Sequence, residues 1–176
     1  MSAEVFAELS PPYKTIVADP PWQFRSAATK ADARKHYSTM TLDDICAMPV
    51  ESIAADDAHL WLWAVNGMME EAFRVVRAWG FSPVTLATWC KPAPGVGYYL
   101  RNNTEHAIFA SRGKPMVPDE KAMATWFVWK RGAHSRKPAA FYDLVQQVSP
   151  GPYVELFCRE PVFGWDSWGY GYEGAA

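Results

Sequence analysis

Cysteine is scarce: Cys46, Cys90 and Cys158 are the only three in 176 residues, far apart and without a C-x-x-C pair. An odd number of scattered thiols argues against a disulfide framework and a structural zinc site, and fits a reducing, cytoplasmic setting. A dominant charge sign is also missing, since 17 basic and 19 acidic residues leave a formal net charge of −2. Binding to nucleic acid through overall charge would need a basic chain, so any such contact must come from a local patch. No apolar run approaches the roughly 18 residues of a membrane span, so no membrane association is expected. Met1–Ser10 has no basic flank ahead of an apolar stretch, so no secretory leader is expected either. Repeats and low-complexity tracts are absent. The surplus is aromatic: 9 Trp, 8 Tyr and 9 Phe make up 15% of the chain, enough to fill a core and to stack flat ligands.

With 49% hydrophobic and 20% charged residues, the composition is that of a folded chain. Its length suits one domain over 1–176, with short loose ends at 1–10 and 169–176. Short apolar runs read as strands at Tyr13–Asp19, Ala58–Val65, Pro83–Lys91, Glu105–Ser111, Ala124–Trp129 and Val154–Cys158. Helical spacing covers Met68–Trp79, stopped by Gly80, and Pro138–Val148, with proline in its first turn. Thr41-Leu42-Asp43-Asp44 resembles a capping box opening a short helix. Gln23–Ser38 and Pro92–Asn103 read as loops. Alternating strands and helices predict an α/β fold with a largely parallel sheet, whose ligands sit at the carboxyl ends of the strands.

The sharpest motif is Asp19-Pro20-Pro21-Trp22, where the first strand must end. Each residue has a task if the substrate is an exocyclic amine on a flat base, whose lone pair is delocalised into the ring. Asp19 would accept one N–H and the Pro20 carbonyl the other, drawing the nitrogen toward tetrahedral geometry. Pro20 and Pro21 fix φ and remove amide donors that would compete for those acceptors. Trp22 offers a ring on which an extruded base could stack.

The chain resembles the family of N6-adenine methyltransferases related to the catalytic subunit of the messenger-RNA adenosine methyltransferase, which has bacterial and phage members acting on DNA. The resemblance runs from Tyr13 to Gly169 through ordered segments: YKTIVADPPWQF, HYSTM, LWLWAVNG, TWCKP, RNNTEHAIFASRGKP, HSRKP, VELFCRE and GWDSWG. It implies a Rossmann-like fold, S-adenosyl-L-methionine as donor, and transfer to the N6 amine of adenine. DNA comes first as substrate and RNA second; a homodimer or partner subunit is left open, and no metal is implied. A non-catalytic nucleic-acid or partner-binding module with the same fold is the rival from another class.

Carried over position by position, Asp19, Lys137 and Arg159 resemble cofactor or base-positioning contacts, and Glu155 a polar support beside them. Tyr37 matches an aromatic position by the active site, and Glu105 and His106 a pair on the substrate side. Two basic clusters, Arg25, Lys30, Arg34, Lys35, His36 and Lys130, Arg131, His134, Arg136, Lys137, are candidate phosphate contacts, which position a strand without reading its sequence. After GWDSWG many relatives carry polar cofactor contacts where this chain has Tyr170 and Gly171, a departure expected to weaken cofactor binding.

Overall fold

The computed structural model describes residues 3–23, 39–93, 95, 99–117, 123–130 and 137–169. Its strands are β1 (Tyr13–Ala18), β2 (Ala54–Val65), β3 (Ser82–Cys90), β4 (Thr104–Arg112), β5 (Trp126–Val128), β6 (Tyr153–Leu156) and β7 (Asp166–Trp168). The α-helices are α1 (Leu42–Cys46), α2 (Met69–Ala78) and α3 (Ala139–Val148). The strands form one sheet in the order β5-β3-β4-β2-β1-β6-β7.

Side-chain alternation divides the core. Ile16, Leu60, Leu62 and Ile108 face α1 and α2, packing with Ile45, Val75 and Val76. Their neighbours Val17, Trp61, Trp63 and Ala107 face the other way, against Phe141, Leu144 and Val145 of α3. Strands covered on both sides read as nearly continuous apolar runs, which is why β1 and β2 stand out in the sequence. Thr41 caps α1 by accepting the Asp44 amide at 3.1 Å. Gly80 ends α2 in the left-handed region at φ 81, where a side chain would be strained. Pro138 stands at the N-cap of α3, one place ahead of the expected first turn.

β1 is parallel to β2 and to β6, β3 to β5, and β6 to β7. The exception is β4, antiparallel to both β2 and β3. It follows β3 without an intervening helix, so it returns in the opposite direction, whereas α2 carries the chain from β2 to a strand of the same direction. The amino end of β4 therefore lies level with the carboxyl ends of its neighbours. The chain leaves β1 for β2 on one side and comes back to β6 on the other, which makes the carboxyl end of β1 a topological switch point, where such sheets open a crevice.

Two features differ from expectation. Phe6, in the supposedly loose first ten residues, is buried in a short 3-10 turn and meets Trp168 edge-on at 5.1 Å between ring centroids. β7 was not legible, being three residues long in a Gly-rich segment. Just beyond it Gly169 crosses Phe157, where a Cβ would lie 2.4 Å from the Phe157 Cα. Residues 170–176, with the departures at Tyr170 and Gly171, lie outside the described residues. No described helix is long and apolar enough to cross a membrane.

Candidate active site

Asp19 follows β1 directly, and its amide donates to the Leu156 carbonyl of β6 at 3.4 Å. The turn behind it is pinned at three points. The Trp22 amide donates to the Pro20 carbonyl at 2.8 Å, the Met40 amide to the Pro21 carbonyl at 3.0 Å, and the Trp22 indole N–H to the Trp63 carbonyl at 3.0 Å. The Pro20 carbonyl is thus not free of amide donors, as the two prolines had suggested, although its second lone pair is still available.

Trp22 requires a correction. Its side chain is buried in the core on the α1–α2 side, so it has no open face for a base. The ring anchors the turn instead. Trp22→Ala is accordingly expected to lower folding stability by about 3–5 kcal/mol, the usual cost of emptying a buried aromatic site. Urea unfolding measures it; a loss under about 1 kcal/mol would put the ring outside the core.

Beside the turn lies a chain of four charges in alternating sign: Lys91, Glu105, Lys137 and Asp19. The Lys137 ammonium is 3.0 Å from Asp19 Oδ2 and 3.1 Å from Glu105 Oε2, and sits 4.6 Å above the Trp63 ring. Lys91 pairs with Glu105 from the other side and lies over Trp89. Local structure brings them together. Glu105 is opposite Val65 of β2 and Trp89 of β3, Lys91 comes just after β3, and Lys137 just precedes the Pro138 cap. Burial alone would raise the Glu105 pKa, but Lys137 and Lys91 outweigh it and hold the carboxyl below its usual range. Burial alone would lower Lys137, and Asp19 and Glu105 reverse that. Glu105 and Lys137 thus each hold their charge against burial because an opposite neighbour stands beside them.

Glu155, opposite Val17 on β6, accepts a bond from the Tyr142 hydroxyl of α3 at 2.9 Å. Its other oxygen, Oε2, is buried with no N–H or O–H donor to it among the described residues. Burial pushes its pKa up to about 7, against the pull of the Tyr142 bond; the Asp19 charge adds to the rise and the Lys137 charge opposes it. A carboxyl that is easier to ionise when unfolded costs stability as pH rises. Its contribution is largest below about 4.5 and falls away between there and about 7. Glu155→Gln is therefore expected to gain stability relative to the wild type between pH 5 and pH 8, by up to about 3 kcal/mol. Urea unfolding of both proteins at the two pH values tests this; equal pH dependence would overturn it.

An acidic residue and a lysine are thus paired at the switch point, next to a buried acid. A family model described as MT-A70 matches residues 13–171 of the chain. The chain belongs to the MT-A70 family, and so to the methyltransferases. It is 31% identical to the type II methyltransferase M.MunI of a Mycoplasma species, over 94% of this chain and 81% of that protein. Human METTL3, named as an N(6)-adenosine-methyltransferase catalytic subunit, is 25% identical over 84% of this chain but only 26% of its own length. The N6-methyladenosine RNA methyltransferase MTA1 of Cryphonectria parasitica is 29% identical over 93% of this chain and 53% of its own. The mixed seven-stranded sheet agrees with the Rossmann-like fold that the motifs imply for an MT-A70 protein.

Of the residues singled out from the MT-A70 motifs, the structure gathers Asp19, Glu105, Lys137 and Glu155 on one side of the sheet edge. Lys137 had also been counted among phosphate contacts; its side chain is 13% exposed and turned inward to two carboxylates. Arg159 lies just past β6, at the same end of the sheet. His106 separates from Glu105, because adjacent strand residues point to opposite faces. Tyr37, Lys35 and the rest of the first basic cluster lie outside the described residues, as do Arg131, His134 and Arg136; Lys130 is exposed. Lys91, Tyr142 and Asn66 were missed as site residues. Lys91 could have been found, since it stands in the TWCKP segment at a strand end.

Proposed function

We propose that this chain transfers a methyl group from S-adenosyl-L-methionine to the N6 amine of adenine in DNA. The observation that carries the reading is the Asp19–Lys137 pair at the switch point of the sheet. The site suits the donor: Lys137 would hold its carboxylate, Asp19 its ammonium group, and the open Oε2 of Glu155 a further polar group. When bound, S-adenosyl-L-methionine supplies an electrophilic methyl group on a sulfonium.

Asp19 Oδ2 faces Lys137 and would meet the donor's ammonium with its second lone pair, which leaves Oδ1 to accept one N–H of the amine. The free lone pair of the Pro20 carbonyl accepts the other. As the nitrogen pair is committed to the new bond, positive charge grows on nitrogen, and these two fixed acceptors stabilise it without reorganisation. The methylated ammonium is acidic enough to lose its proton to water, so no strong general base is needed. The intact turn and its paired lysine weigh against a purely non-catalytic module. The free thiols of Cys46, Cys90 and Cys158 fit our assignment to the cytoplasm.

The test is transfer of tritiated methyl to single-stranded DNA, duplex DNA and RNA, followed by nucleoside analysis. N6-methyldeoxyadenosine is the expected product. Label only in RNA, as the METTL3 and MTA1 relatives would favour, moves the substrate to RNA; label in neither overturns the enzymatic reading.

A further inference from the structure

His106 sits on the face of the sheet away from Lys137, and its two ring nitrogens are both engaged. Nδ1 is 3.0 Å from the Thr88 hydroxyl and Nε2 is 2.6 Å from Asn66 Oδ1. An amide oxygen can only accept, so Nε2 carries the proton and Nδ1 accepts from Thr88. Burial lowers the His106 pKa, against the charge of Glu105, in keeping with a neutral ring. Asn66 turns its Nδ2 to Asn102 Oδ1, 3.1 Å away, and the Thr104 hydroxyl braces the same amide, 3.1 Å from Nδ2 and 3.2 Å from Oδ1. The main chain of Asn102 is also fixed, its carbonyl accepting from the Gly95 amide at 2.8 Å. The relay Thr88–His106–Asn66–Asn102 thus runs from inside the sheet to an exposed amide.

Asn66 immediately follows β2, the strand beside β1, at the same end as Asp19. The relay reaches this edge on the face opposite the lysine–carboxylate cluster. We propose that Asn66 is a positioning residue that locks the Asn102 amide with its oxygen engaged, so that Asn102 Nδ2 donates to a ring nitrogen of the target adenine. Asn102 Nδ2 bonds to no described residue, so a donor is left over at the edge. The adenine amine is flanked by ring nitrogens N1 and N7, which only accept. A locked amide rejects a base that presents a donor there, whereas a free one would rotate to suit either. The inference rests on the adenine reading given above.

The experiment is a cycle between protein and base. Wild type, Asn102→Ala and Asn66→Ala are assayed on oligonucleotides bearing adenine, 1-deazaadenine or 7-deazaadenine at the methylated position. One of the two analogues is expected to cost the wild type about tenfold in kcat/KM, and to cost Asn102→Ala less than twofold. Asn66→Ala should raise the KM for the oligonucleotide several-fold with kcat nearly unchanged. Calorimetric affinity of both variants for S-adenosylhomocysteine should match wild type, which a general loss of structure would not allow. If both analogues carry the same penalty in all three proteins, the proposal is overturned while the adenine reading stands. If the wild type methylates no adenine oligonucleotide of either sugar, both fall.

Discussion

Asp19→Ala is expected to lower methyl transfer at least about a hundredfold while the protein stays folded. The figure is the usual cost of removing one fixed group aimed at charge that develops in the transition state. Folding should survive because Lys137 keeps Glu105 as a partner and the turn keeps its anchors at Trp22 and Met40. Asp19→Asn should fall between wild type and alanine, since it retains an acceptor oxygen and loses the charge. Transfer kinetics with thermal unfolding in parallel decide the matter. Near-normal turnover by a folded Asp19→Ala protein would remove Asp19 from the chemistry and leave the proposed mechanism without its centre.

Lys137→Met should act on stability and on ligand binding together. The methionine fills the space above Trp63 but leaves Asp19 and half of the Glu105 carboxylate without their cation. Stranding buried charge of this kind costs about 3–5 kcal/mol, and the partial exposure of Asp19 brings the expected loss to about 2–4 kcal/mol. Affinity for S-adenosylhomocysteine should drop by a factor of about ten or more, since the ligand carboxylate loses its counterion. Lys137→Arg should recover little, because a planar fork does not fit where one ammonium bridges two carboxylates over an indole. Denaturant unfolding and calorimetry provide the two readings. Unchanged stability with intact ligand affinity would mean that the lysine is a bystander.

The strands were legible because burial on both faces leaves runs such as Ile16-Val17-Ala18 and Leu60-Trp61-Leu62-Trp63 with no polar interruption. The position of Asp19 was legible for the same reason, since two prolines can only follow a central strand that has ended. The role of Trp22 was not. An aromatic residue beside a catalytic turn reads equally well as a stacking platform or an anchor, and only the Trp63 carbonyl, 41 residues on, decides between them. Lys137 read both as a cofactor or base-positioning contact and as one cation of a basic loop; its inward orientation depends on Glu105, which approaches through the reversed strand β4. That reversal was hidden as well, because apolar patterns carry no direction. His106 was legible as half of a Glu-His pair, but its relation to Asn66 was not, since that is made by pairing across β2 and β4.

The position of β1 between β2 and β6 also sets an order of assembly during synthesis. β1 leaves the ribosome before β2 and can pair with it as soon as that strand is made, and β3 and β4 extend the sheet outward from there. The other edge of β1 must wait for β6, separated from it by most of the chain. Until β6 arrives, the Asp19 amide lacks its Leu156 partner, and the turn is held on one side only. A nascent chain ending before Tyr153 is therefore a half-sheet with an open apolar edge and no complete crevice, the kind of intermediate that chaperones shield. Competence for the reaction comes only with β6 and β7, although its central aspartate is made before either.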